Sequence, residues 1–179
     1  SHETQSERTP GMRPYVITRG GCAGIARYGQ TWSGDNATAW KTLRFNLAQG
    51  LTMSLSGLHN IGHDVGGFHG PRPGPELLAR FAELCCLWPR FVMNSWNDDG
   101  VVTTPWMHPE VLPPIRAAMA LRLRLMPYLY TQMARSAARD EPVVRPLLLD
   151  FGGDAAQQDD VFMLGRDLLV APVLEEGAT

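Results

Sequence analysis

The chain has 179 residues, enough for one ordinary domain with a real core. Hydrophobic residues make up 44% and charged residues 19%, a globular and not a disordered balance. A formal charge of −2 gives no reason to expect a nucleic-acid or anionic-membrane partner, and no apolar run approaches the ~18 residues that cross a bilayer.

Residues 1–12 are polar and read as a leader outside the fold. Residues 13–19 (RPYVITR) set β-branched and aromatic side chains between turn formers, which predicts a short buried strand. A turn through Gly20, Gly21 and Gly24 leads to a second strand over 28–32. Asn36 can cap a helix on which Trp40, Leu43 and Leu47 recur, with Gly50 as its end. A third strand falls within 58–64 and breaks at Gly66 and Gly67. Pro75 suits the first turn of the next helix, whose Leu77, Leu78, Phe81, Leu84 and Cys85 share a face. Residues 90–93 predict a fourth strand. A long helix is expected over 115–138, bent at Pro127. After Pro142 the pattern changes to short strands over 143–151 and 168–173 with no helix between them, so a domain boundary is expected near residue 141.

Strands alternating with helices imply a parallel sheet with crossover connections. An open doubly wound sheet and a (β/α)8 barrel share that pattern. The barrel is favoured because Arg19, Asp35, Asp64 and Asn94 fall at the C-terminal ends of the four strands, the face on which barrel enzymes build their sites. Neither a GxGxxG nor a Walker loop is present, which weakens a nucleotide-binding reading.

Glycoside hydrolysis requires two carboxyl groups across the scissile bond. Asp35, between Gly34 and Asn36 and close to Trp32, is a candidate general acid; an equally simple reading makes it a helix N-cap. Asp64 carries the same ambiguity, since Gly66 and Gly67 suit a tight turn. His59, His63 and His69 cluster in sequence, but the glycines around them argue against one helical face, so no metal site is expected. No cofactor is expected either. Asp98, Asp99 and Gly100 read as a turn. Trp96 and Trp106 could line a carbohydrate subsite or serve packing. Arg116, Arg122 and Arg124 are assigned to a solvated or interface face of the last helix. Cys22, Cys85 and Cys86 form a poor disulfide framework, which points to a reducing compartment and hence the cytoplasm.

Taken together, RPYVITR, TWSGDNATAW, NIGHDVGGF, LRLRLMPYLYTQM, RPLLLDF and FMLGRDLLVAPVL resemble segments of glycoside hydrolase family 31, the α-glucosidase and α-xylosidase family. The resemblance implies a partial (β/α)8 TIM barrel, about strands 5 to 8, over 13–141, and the start of a β-sandwich-like domain over 142–179. It implies Asp35 as the catalytic acid/base, Arg19 as a substrate-binding arginine, and Trp32 as a sugar-facing aromatic. Asp64 would hydrogen-bond the sugar and Phe68 would line its site. The interval from Arg19 to Asp35 matches the family's spacing.

Two departures stand out. Asn94 occupies the place where the family usually has a sugar-binding histidine. The family's nucleophile motif, of the W-x-D-M-N-E type, does not occur. The expectation is therefore a fragment of a retaining α-glycosidase, most simply an α-glucosidase acting on an α-linked oligosaccharide. Its partner would be the missing N-terminal half of the enzyme, and its open strand edges would favour self-association into a homo-oligomer. Another family specificity (α-xylosidase, α-galactosidase or transglycosidase) and a non-catalytic sugar-binding fragment are the alternatives.

Overall fold

A computed structural model describes residues 1–178, the side chain of Ala156 excepted. Part of the polar leader is helical, α1 (His2–Arg8), where the sequence suggested no element. β1 (Ile17–Thr18), β2 (Gln30–Trp32), α2 (Trp40–Leu55), β3 (Ile61–Asp64), β4 (His69–Gly70), α3 (Pro75–Cys85), β5 (Arg90–Val92) and β6 (Trp96–Asn97) follow in order. A long helix α4 (Leu112–Arg139) then leads to β7 (Val144–Arg145), α5 (Leu148–Phe151), β8 (Phe162–Leu164) and β9 (Leu168–Val170).

β1, β2, β3 and β5 form a parallel sheet in that order, with Thr18 beside Thr31, Trp32 beside Gly62, and Asp64 beside Val92. Every residue of β3 is buried, as expected for a parallel strand covered on both faces. Gly62 is required in it, because a Cβ there would meet the Arg90 carbonyl of the adjacent strand. β4 and β6 pair in parallel above this frame, tying the loop after β3 to the loop after β5.

The helices pack on this sheet through the faces their sequences suggest. Pro75 opens α3 at its first turn and Leu78, Phe81, Leu84 and Cys85 are buried from it. α2 buries Leu43, Leu47 and Leu51, but both of its expected boundaries are wrong. It starts at Trp40 after Ala39, not at an Asn36 cap, because the Asn36 amide is engaged elsewhere. It also runs through Gly50 to Leu55, and the chain turns only at Gly57, with φ of +84°. Gly50 serves packing: a Cβ there would meet the Trp88 ring and come 3.0 Å from His63 Nε2. Gly50→Ala is therefore expected to lower stability, because overpacking costs about 1–3 kcal/mol and outweighs the ~1 kcal/mol gain in helix propensity. Urea unfolding midpoints would check this; a stabilised variant would count against it.

β7, β8 and β9 form an antiparallel sheet after α4. The strand expected over 143–151 is reduced to two residues. Arg145 binds Asp150 through Nε and Nη2, both at 2.8 Å, which closes the chain into the short α5. A 3-10 turn over Gly153–Gln157 adds a second helical element where none was expected. This sheet shares one core with the parallel frame: Trp88 stands 5.6 Å from Phe162 between ring centroids, and both are fully buried. Ser54 Oγ donates to the Val144 carbonyl at 2.7 Å and Tyr128 Oη to that of Leu164 at 2.7 Å. Arg122 is not simply solvated. Its guanidinium donates to the carbonyls of Cys86, Trp88 and Pro89 at 2.6–2.9 Å, serving carbonyls that follow α3 and α3 alone could not satisfy.

Candidate active site

β1 delivers Arg19 one residue past its end, β2 delivers Asp35, β3 ends on Asp64, and Asn94 lies just past β5. The C-terminal edge of the parallel sheet thus carries all four residues. Arg19 Nη1 pairs with Asp35 Oδ2 at 3.2 Å, both side chains being partly exposed. An exposed pair of this kind contributes little stability; it orients the carboxylate. Gly34 precedes Asp35 with φ of +94°, a left-handed backbone that favours glycine.

Asp35 is not a helix cap. α2 begins beyond it at Trp40, and Asp35 sits on a loop held from several sides. Asn36 Nδ2 donates to Ser33 Oγ at 2.9 Å and to Asn46 Oδ1 at 2.6 Å. The Asn36 carbonyl accepts from the Phe68 and His69 amides at 2.8 and 3.3 Å, and the Thr38 amide donates to the His69 carbonyl at 2.8 Å. These bonds set the Phe68 segment directly against the Asp35 loop. Gly67, with φ of +86°, lets the two loops close, because a Cβ there would collide with Thr38.

Asp64 is almost fully buried, and its Oδ1 accepts from Arg90 Nη2 at 2.8 Å. Burial pushes its carboxyl above the ordinary value of 3.8; the Arg90 hydrogen bond and charge oppose that rise, and the charge of Asp35 adds to it. Asp64 Oδ2 and Arg90 Nε and Nη1 have no hydrogen-bond partner among the described residues. The Arg90 guanidinium also lies 5.9 Å from the Trp32 ring. Arg90 therefore belongs to this site although sequence reasoning passed over it. The available signal was an arginine inside an otherwise apolar strand.

Asn94 is exposed and has no hydrogen bond to the other site residues among those described. Phe68 and Trp32 are half-buried, while Trp96 and Trp106 are strongly exposed. The three histidines do not converge: His63 lies buried behind the Asp35 loop, His69 is exposed, and His59 faces Asp140 with Nε2–Oδ1 at 3.4 Å. Among the described residues no three His, Cys, Asp or Glu side chains are grouped to hold a metal ion. No helix among them is long and apolar enough to cross a membrane.

Parallel strands with polar side chains collected at their carboxyl ends define part of a (β/α) barrel of the enzyme-bearing kind. Residues 1–132 match the glycosyl hydrolases family 31 TIM-barrel domain, and residues 140–179 match the family 31 C-terminal domain. The chain belongs to glycosyl hydrolase family 31. It is 36% identical to an alpha-glucosidase of Hordeum vulgare over 96% of this chain and 20% of that protein. It is 37% identical to human neutral alpha-glucosidase AB, again over 96% of this chain and over 18% of that protein. The solved glucosidase II alpha subunit superposes with a TM-score of 0.92 at 30% identity, over 99% of this chain and 20% of that one. The chain thus spans about a fifth of the length of the curated relatives it matches.

Proposed function

We propose that this chain supplies the acid/base side of the active site of a retaining α-glycosidase, with α-glucosides as its substrates. The observation that carries this reading is the Asp35 carboxylate. In a family 31 chain it stands exposed at the C-terminal edge of the parallel sheet, held by Arg19 on a loop bonded to the Phe68 segment. The α-glucosidase names of the relatives support the choice of sugar and linkage.

In this mechanism Asp35 protonates the glycosidic oxygen while a second carboxylate, from a segment outside these residues, attacks the anomeric carbon. Asp35 then takes a proton from the water that releases the sugar. The two carboxyl groups stand about 5–5.5 Å apart in retaining enzymes. Asp64 contributes an acceptor to the sugar hydroxyls, its position fixed by Arg90, and Trp32 and Phe68 offer apolar walls. Asn94 offers one donor and one acceptor on a short side chain. That last feature supports a second specificity, because an exposed amide replaces the histidine usual in the family and alters the grip on the bound sugar.

The test is hydrolysis of a panel of nitrophenyl α-glycosides by the protein, alone and with the N-terminal half of a family barrel. Proton NMR would identify the anomer released first. The expected result is release of α-glucose. A β-anomer as first product would overturn the retaining mechanism, and preference for the α-xyloside or α-galactoside would overturn the glucoside assignment.

A further inference from the structure

The loop that carries Asp35 is tied to a residue deep in the sheet. His63 lies in β3 next to Asp64, with no exposed surface. Its Nδ1 is 2.9 Å from Ser33 Oγ, and the same oxygen accepts from Asn36 Nδ2 at 2.9 Å. Asn36 Nδ2 also donates to Asn46 Oδ1 of α2 at 2.6 Å. Ser33 and Asn36 stand on either side of Asp35 in the chain. One hydrogen-bonded network therefore runs from the core to both flanks of the carboxylate.

The Ser33 hydroxyl, which accepts from Asn36, can still either donate to His63 Nδ1 or accept from it, according to the tautomer of the ring. Nε2 lies toward Gly50 and has no hydrogen-bond partner among the described residues, and the ring meets that of Trp88 edge-to-face at 4.9 Å and 65°. Burial first, and then the Arg90 charge, lowers the His63 pKa to about 3, so the ring stays neutral, with one donor and one acceptor nitrogen. The ionised groups near it are Arg90 of β5 and Asp64 of β3, already paired with each other. The whole ring sits in a close-packed slot that only a glycine at position 50 leaves open.

We propose that His63 is a positioning residue for Asp35, acting through Ser33 and Asn36 to aim the carboxyl group at the leaving-group oxygen. The proposal rests on the acid/base reading of Asp35 given above.

The experiment uses Ser33→Ala, which removes only the hydroxyl, His63→Leu, and His63→Asn, which returns an amide atom to the place of Nδ1. With the N-terminal half of a family barrel added to supply the second carboxylate, each is assayed on an alkyl α-glucoside, whose departure needs a proton, and on α-glucosyl fluoride, whose departure does not. Ser33→Ala and His63→Leu are expected to lower kcat on the alkyl glucoside by ~10–100-fold, with KM and fluoride turnover little changed, and His63→Asn to recover part of the loss. Equal losses on both substrates, or a loss confined to KM, would overturn the proposal. Amide hydrogen exchange separates this outcome from a failure of the acid/base reading. The Phe68 and Thr38 amides, which bridge the two loops, should exchange ~10-fold faster or more in both variants, with α3 unchanged. Unchanged exchange would overturn the positioning itself. Faster exchange in a protein that hydrolyses no α-glycoside even with the N-terminal half of a family barrel added would remove the acid/base role of Asp35 and leave His63 as holder of the loop.

Discussion

With the N-terminal half of a family barrel supplying the second carboxylate, the acid/base role proposed for Asp35 predicts that Asp35→Asn lowers kcat for α-glucosides by about 10²–10⁴-fold, the range that general acid/base catalysis supplies. The substitution keeps the size and shape of the side chain. It removes one exposed pair with Arg19, worth under ~1 kcal/mol, and no helix cap, since α2 starts at Trp40. The variant should therefore unfold at nearly the parent's denaturant midpoint, and the loss should be one of chemistry. Two features would identify it as loss of an acid/base. Glucosides with strongly acidic leaving groups should lose far less. Azide, which needs no general base, should restore turnover and yield a glucosyl azide of retained configuration. A decrease of less than ~10-fold, outside the range expected of an acid catalyst, would remove Asp35 from the mechanism.

The second large effect concerns stability. Arg90→Met is expected to cost about 3–5 kcal/mol, because it strands the Asp64 carboxylate in a site with almost no exposed surface. Asp64→Asn in the same chain should return much of that loss, since the two positions share one interaction and their effects do not add. The pH dependence has a definite sign. The folded pKa of Asp64 lies above its ordinary value of 3.8, so its contribution is fully present below that value and is lost as pH rises through the raised folded one. Arg90 opposes the rise, and removing it moves the folded pKa further up. The penalty of Arg90→Met should therefore be smaller near about pH 4 than near about pH 7. His63 shifts in the other sense, its folded pKa of about 3 lying below the ordinary 6.5, so its contribution is lost as pH falls below the ordinary value. For that reason the comparison is variant against parent at each pH, by urea unfolding. An equal penalty at both would show that Asp64 does not carry the effect.

What the sequence determined by itself lies in short-range pattern. α3 was legible because its signals are local: a proline at the first turn and an apolar face at helical spacing. The parallel character of the sheet followed from strands alternating with helices, and Arg19, Asp35 and Asp64 could be read at the strand ends because those ends were marked by turn residues. The family resemblance rested on those same motifs and is matched over 1–132 and 140–179.

What only the tertiary structure decided depends on partners distant in the chain. Asn36 is an excellent cap by type, yet its amide reaches Asn46 and Ser33, so α2 starts later. Gly50 reads as a helix end until Trp88, brought from beyond α3, occupies the space its missing side chain leaves. Asp64 became a buried ion-paired carboxylate through Arg90, 26 residues away. His63, grouped by sequence with two other histidines as a metal candidate, was separated from both and joined to the Asp35 loop. Local sequence encodes which conformations a segment favours. Which polar atoms are then taken out of water, and which partner each must find there, is set by packing between strands and helices far apart in the chain.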